Sequence, residues 1–240
     1  MQDTAEYLCE NIQGCKMAFV FSDEISLLLI DYERLESQAF FDYEVQKMCS
    51  VIASMATLAF NKIFADRVCN IDPMLLGFYD DEPDNSYEIA ESYGFDNLRT
   101  KEGMDNLENQ VKIYNKAIQK GATFDCRVFN VQSMDVSNYF YWRQLDATRN
   151  SIQMVGQSKF SSRELHGKSC NDIQDMLHEI YGINWNDLPT YKKRGSCCIK
   201  IVEPYENDTF RSRWIIDENI PIFKGDGRNY IECFVRVGDE

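Results

Sequence analysis

Histidine is nearly missing from these 240 residues: His166 and His178 are the only two. A histidine-rich metal site is excluded, and a histidine-based catalytic triad is disfavoured. The nine cysteines are odd in number, and none stands in a CxxC pair. Zinc-finger spacing and a disulfide framework are therefore both lacking. The thiols read as reduced and mostly buried, which implies a cytoplasmic protein. No run of 18 apolar residues occurs, and the acidic stretch Met1–Glu10 has no basic, apolar signal pattern. Neither a transmembrane helix, nor a membrane partner, nor a secretory peptide is expected.

Positive charge is also scarce. The formal net charge is −14, which argues against a non-specific nucleic-acid coat, because phosphate binding needs Lys and Arg. The charge is uneven, however. Residues 72–108 hold eleven acids and two bases, whereas residues 142–200 hold nine Lys/Arg and six acids. A small basic face on an acidic body fits that distribution. Hydrophobic content is 44%, enough for one large domain or a domain with an appendage.

Residues 3–13 carry Ala5, Leu8, Cys9 and Ile12 at helical spacing, and Gly14 is a good helix stop. Two apolar runs, Lys16–Phe21 and Ile25–Ile30, flank Ser22-Asp23-Glu24, which predicts two strands meeting at an acidic turn. A long helix is predicted over 41–64 from Val45, Met48, Cys49, Ile52, Met55 and Ala59. An acidic insertion over about 70–110 follows, with helix near 104–120. Phe124–Val131 reads as a strand, and Ser137–Gln153 as a helix with Ser137 as N-cap. Cys170–Tyr181 reads as a helix ending at Gly182, and Ser196–Val202 as a strand. Trp214–Ile216 and Tyr230–Val237 read as a closing hairpin.

Ser22-Asp23-Glu24 is the sharpest chemical signal. Two carboxylates directly after an apolar run cannot both be buried without partners. A strand end bearing adjacent acids suits Mg²⁺, which takes hard oxygen ligands. The same spacing also fits a polar hairpin turn. Arg143 and Asp146, three apart on a helix, share a face and could simply pair with each other. Lys159, Arg163, His166 and Lys168, or Lys192-Lys193-Arg194, are phosphate-binding runs or solvated faces. Lys224-Gly225-Asp226-Gly227-Arg228 lacks the Walker pattern and a following helix, so it reads as a hairpin turn. Asp125 and Arg127 share one face of their strand and can pair.

Four segments carry a resemblance beyond such spacing. Phe21-Ser22-Asp23-Glu24-Ile25-Ser26 resembles the strand-turn signature of the tRNA(His) guanylyltransferase family. Phe124-Asp125-Cys126-Arg127-Val128 resembles its later strand, and Tyr141-Trp142-Arg143-Gln144 with Asp146 its core helix. Gly182-Ile183-Asn184-Trp185-Asn186-Asp187-Leu188-Pro189 with Lys193-Arg194-Gly195 resembles its C-terminal element. Thr148 and Leu165-His166-Gly167-Lys168 are more similar to the tRNA-repair branch of bacteria, archaea and phages.

The resemblance implies an α+β fold. Its core would be a polymerase-like palm, a ferredoxin-like antiparallel sheet with helices on one face, followed by a C-terminal α/β extension. The palm would occupy 1–135 and the helical and hairpin region 136–240. It implies 3′-to-5′ addition of nucleotides, G or template-directed, to the 5′ end of a tRNA. The 5′ end is first activated by GTP or ATP, and the 3′-hydroxyl of an incoming nucleotide then attacks, with two Mg²⁺ ions serving both steps. Asp23 would be a metal-binding and nucleotide-binding carboxylate, Glu24 its required catalytic neighbour, and Ser22 a nucleotide contact. Lys47 would meet the triphosphate, and Arg143, Asn150 and Lys168 would contact tRNA or phosphate. A homo-tetramer or dimer is implied.

The chain also departs from the family pattern. The family's Asp-Gly-Arg strand, source of another metal ligand, is expected before the first helix and does not stand there; Asp226-Gly227-Arg228 spells the tripeptide at the wrong end. Phe21 replaces a Gln, Thr148 a His, and Tyr43-Glu44 an Arg pair. The palm is therefore expected without its first strand. A truncated, non-catalytic tRNA-binding or oligomer-forming remnant is the alternative.

Overall fold

The two apolar runs around the acidic turn form a β-hairpin, β1 (Cys15–Phe21) and β2 (Glu24–Leu29). The computed structural model describes residues 1–34, 36–71, 100–205 and 209–236. The core of the acidic insertion, including Asp80–Asp84, lies outside the described residues. The chain divides into two compact units, Met1–Met48 with Val128–Glu240, and Cys49–Arg127.

The first unit is built on an antiparallel sheet of order β2-β1-β3-β4, where β3 is Ser196–Tyr205 and β4 is Thr209–Asp217. Successive strand residues point to opposite faces, and the burial follows that period. On one face Ala18, Val20 and Cys198 pack with Ala5 and Cys9 of helix α1 (Gln2–Asn11). On the other, Met17, Phe19 and Cys197 pack with Val136, Phe140, Phe223 and Ile231. Helices thus cover both faces, and not the one face expected of a ferredoxin-like palm. Buried side chains at adjacent strand positions, 17 to 20, leave neither face fit for water.

The second unit contains most of α2 (Val45–Cys69) and all of α3 (Lys101–Lys120). By length and composition alone, α2 could cross a membrane, which the absence of an 18-residue apolar run did not suggest. It buries Met48, Ile52, Ala56 and Ala59 at three- and four-residue spacing, a single stripe along an otherwise little-buried helix.

The expected strand Phe124–Val131 joins no ladder. Its leading backbone groups bond to side chains of α2 instead. Ala122 exchanges hydrogen bonds with the Asn61 amide, and the Phe124 N–H donates to Thr57 Oγ1 at 3.1 Å. Asp125 and Arg127 do pair, at 3.4 Å on the surface.

Beyond it, α4 (Val136–Gln157) lies across the sheet, with Ser137 buried inside its first turn rather than capping it. Short α5 (Ser162–Leu165) leads to α6 (Cys170–Tyr181), which has the expected bounds. A capping box between Ser169 and Asp172 starts α6, and Gly182 in the left-handed region ends it. Trp214–Ile216 lies in a strand, but its partner is β3. Tyr230–Val235 is not a strand: Asn229–Val235 forms helix α8, because Ile231 and Val235 bury one helical stripe. The glycine-rich run before it folds as a 3₁₀ turn, Gly225–Arg228, so a helix does follow. A Cβ at Gly227 would lie 1.9 Å from the Ile222 carbonyl oxygen, which gives that glycine a steric role.

Candidate functional site

Phe21 and Glu24 pair across the strands, so Ser22 and Asp23 form a two-residue turn. Ser22 takes φ +53°, the positive value such tight hairpins need at their first turn position. The turn leaves the Asp23 carboxylate exposed and, among the described residues, without a hydrogen bond or ion pair.

Glu24 stands on the sheet face that α4 covers, and there it meets Arg143. Arg143 Nη2 donates to Glu24 Oε2 at 2.5 Å and to Asp146 Oδ2 at 3.2 Å. Asn150 Nδ2 reaches the same Asp146 oxygen at 3.4 Å. Ser26 Oγ lies 3.4 Å from Glu24 Oε1 and 3.1 Å from the Tyr139 hydroxyl. Arg143 Nε is buried without a partner, and its side chain is only 15% exposed. A cleft of about 30 Å³ runs between turn and helix, lined by Ser22, Asp23, Glu24, Arg143, Asp146 and Asn150 over a floor of Phe19, Phe21 and Ala147. That volume accommodates about one water or ion, so a nucleotide would have to open it.

Five of the predicted site residues therefore converge: Ser22, Asp23, Glu24, Arg143 and Asn150. Lys47 and Lys168 do not line the cleft. The Lys47 ammonium lies 4.5 Å from the centre of the Phe41 ring, and Lys168 is exposed just before α6, next to Asp172. Asp146 is not among the expected site residues. Its place in the cleft is the finding, and the signal available was the one-face spacing of 143, 146 and 150.

The Trp185 segment has a structural place. Trp185 Nε1 donates to Ser151 Oγ at 3.0 Å, and Ser151 Oγ donates to the Lys192 carbonyl at 2.6 Å. These bonds tie α7 (Thr190–Arg194) to α4. A larger cavity of about 530 Å³ is lined by Glu6, Glu10, Lys200, Arg211, Arg213 and Trp214. It is open, of mixed charge and apart from the acidic turn.

The donor chemistry allows a test of fit for Mg²⁺. Among the described residues no group of three His, Cys, Asp or Glu side chains is placed to hold a metal. Glu24 and Asp146 are both engaged by Arg143, which leaves Asp23. One carboxylate together with substrate phosphates is a normal Mg²⁺ site. The residues present thus fit a single ion arriving with a triphosphate, and do not fit a protein-held pair.

A carboxylate turn beside a helix-borne arginine, in an α+β sheet, is an arrangement that phosphoryl-handling transferases can use, and nucleotidyltransferases are the class that the family match supports. The chain belongs to the tRNAHis guanylyltransferase family, whose model matches residues 1–132. Among solved structures it is similar to a bacterial tRNA(His) guanylyltransferase-like protein in complex with ATP. There the identity is 34%, over 99% of this chain and 78% of that one, with a TM-score of 0.70. A bacterial protein of the same description, in complex with GTP, is 35% identical over 98% of this chain and 75% of that one, with a TM-score of 0.63. No curated protein matches the chain.

Proposed function

We propose that this chain acts as a 3′-to-5′ nucleotidyltransferase, adding G or template-directed nucleotides to the 5′ end of a tRNA. Family membership supports transfer of nucleotides to tRNA in general terms, and the bacterial relatives that hold ATP and GTP support purine triphosphates as substrates. The observation that carries the finer reading is the unpaired Asp23 carboxylate at a strand end, facing Arg143 across the cleft.

The chemistry proceeds in two displacements. The RNA 5′-phosphate oxygen attacks the α-phosphorus of GTP or ATP, and pyrophosphate leaves. The 3′-hydroxyl of the incoming nucleotide then attacks the activated 5′-phosphorus, loses its proton, and displaces the nucleoside monophosphate. Mg²⁺, bound by Asp23 and the phosphates, would neutralise phosphoryl charge and ease loss of that proton. Asp23 orients the phosphates from the turn, and Ser22 offers its hydroxyl and backbone beside them. Glu24 holds Arg143, whose guanidinium can turn to the phosphate charge that develops in transfer. Asn150 supports that pairing through Asp146. Lys47 and Lys168 are assigned to triphosphate or tRNA outside the cleft. A homo-tetramer or dimer and a cytoplasmic location complete the reading, the free thiols suiting a reducing compartment.

A non-catalytic tRNA-binding or oligomer-forming role is the second reading, favoured by the engagement of both Glu24 and Asp146 by Arg143. The test gives the protein a 5′-truncated tRNA, nucleoside triphosphates and Mg²⁺. Incorporation that Asp23→Ala abolishes supports the enzyme. Absent incorporation with tRNA binding intact sinks it in favour of the second reading.

A further inference from the structure

We propose that the exposed indole of Trp142, with Tyr139 and Phe129 beside it, is a stacking site for a purine nucleobase next to the acidic turn. This rests on the nucleotidyltransferase reading and adds where the base is held.

Helix α4 buries Val136, Phe140, Gln144, Ala147 and Ser151. Trp142 lies two residues from Phe140, roughly 200° around the helix, and so faces outward. It is 58% exposed, as is Phe129. A single exposed aromatic needs no explanation, but these rings are joined. Phe129 and Tyr139 meet edge to face with centres 5.5 Å apart, and Tyr139 and Trp142 follow at 6.1 Å.

Charge settles what such a surface suits. The Arg143 guanidinium carbon lies 4.5 Å from the centre of the Trp142 ring, while the same group bonds Glu24. One guanidinium therefore separates the indole from the acidic turn. Rings interleaved with arginine are the surface on which nucleobases stack, since every base offers a π-face and the cation strengthens the contact. The Tyr139 hydroxyl, 3.1 Å from Ser26 Oγ, ties the middle ring to β2. Purines present the larger stacking area, and the substrates proposed above are purine triphosphates.

The base can come from a free triphosphate or from an unpaired 5′ nucleotide of RNA, and separate arms tell these apart. In the first, affinities for GTP and inorganic tripolyphosphate are measured for wild type, Trp142→Phe and Trp142→Ala. In the second, an RNA hairpin with an unpaired 5′ G is compared with its blunt counterpart. The base-dependent surplus in one arm should fall by about fivefold or more in Trp142→Ala and be largely kept in Trp142→Phe. Tripolyphosphate affinity should not change. A surplus indifferent to Trp142→Ala in both arms overturns the stacking site, while leaving Asp23-dependent incorporation to decide the transfer reading separately. Acrylamide quenching, as the difference between wild type and Trp142→Phe, adds a second readout. An indole already shielded before any nucleotide is added, and so covered by protein, also overturns the proposal.

Discussion

Arg143 Nη2 spans two carboxylates from different elements, lying 2.5 Å from Glu24 Oε2 of β2 and 3.2 Å from Asp146 Oδ2 of α4. The pairing divides the acidic turn into two roles. Glu24 is committed to the arginine, and Asp23 remains available to a cation. Asp23→Ala should lower nucleotide incorporation by about 100-fold or more, the scale of losing a charged group at developing phosphate charge. Glu24→Gln keeps an oxygen for Arg143 and should cost less than Glu24→Ala. Arg143→Ala should separate binding from chemistry. With both carboxylates released, Mn²⁺ should bind about 30-fold tighter, since removing a unit positive charge some 4 Å from a divalent ion is worth about 2 kcal/mol in water. Incorporation should nevertheless fall. Paramagnetic Mn²⁺ titration beside the incorporation assay reads both.

Gln144, in the same motif, has a structural task. Its amide nitrogen donates to the Pro221 carbonyl at 2.9 Å, and its oxygen accepts from the Phe223 N–H at 2.9 Å, with the side chain 2% exposed. Gln144→Leu fits the space but strands both backbone groups. Unmet buried partners cost about 1 to 3 kcal/mol each, so a loss of roughly 2 to 4 kcal/mol is expected in urea unfolding. Gln144→Glu should do no better, because the carboxylate cannot donate to Pro221.

These two neighbours show which parts of the site were legible. Ser22-Asp23-Glu24 stood out because acids between two apolar runs can only be a turn, and a turn follows from short-range chemistry. The bounds of α6 were legible for the same reason: Ser169 and Gly182 are local punctuation. Asp146 joins the cleft only because α4 crosses the sheet beside β2, a long-range fact that spacing does not carry. Lys47 is expected from the resemblance alone, and Lys168 from the resemblance and its basic run; among the described residues neither lines the cleft. Tyr230–Val235 alternates well enough for a strand, yet Ile231 and Val235 are four apart, and burial of that stripe decided for a helix. Phe124–Val131 alternates in exposure as a strand should, but Asn61 and Thr57 take the backbone groups that a ladder would use.

The start of α6 should titrate. The Asp172 carboxylate accepts from the Ser169 N–H and hydroxyl, both at 2.8 Å, and these bonds hold its pKa below the ordinary aspartate value, with Lys168 adding to the effect. A depressed folded pKa means the stabilisation is present above the unfolded value, near 3.8, and is lost as pH falls through the folded one. The Asp172 carboxyl ¹³C midpoint should therefore lie below the usual aspartate range, and Ser169→Ala should raise it only part of the way, because the residue-169 N–H bond, the larger cause, remains. Asp172→Asn should remove this part of the acid dependence of α6 while leaving the helix formed at neutral pH.

Gly195 makes the last prediction, because it joins the basic helix α7 to β3 directly behind the acidic turn. It takes φ +87°, and a Cβ there would meet Phe19 Cε2 and the Val20 carbonyl oxygen, each at 2.7 Å. The oxygen is backbone and cannot swing aside. Phe19 lines the cleft, and Ser196, the next residue, pairs with Val20. Gly195→Ala thus combines left-handed strain with forced separation of β3 from β1, and about 2 to 4 kcal/mol of stability should be lost. Gly182→Ala is the control. Its φ is +64°, but nothing lies within 4 Å of the added Cβ, so only the conformational cost of roughly 1 kcal/mol remains. If the strand pairing behind the turn sets the geometry of Asp23, Gly195→Ala should also depress incorporation by more than its folded fraction explains. Gly182→Ala, far from that pairing in the fold of α6, should track its folded fraction alone.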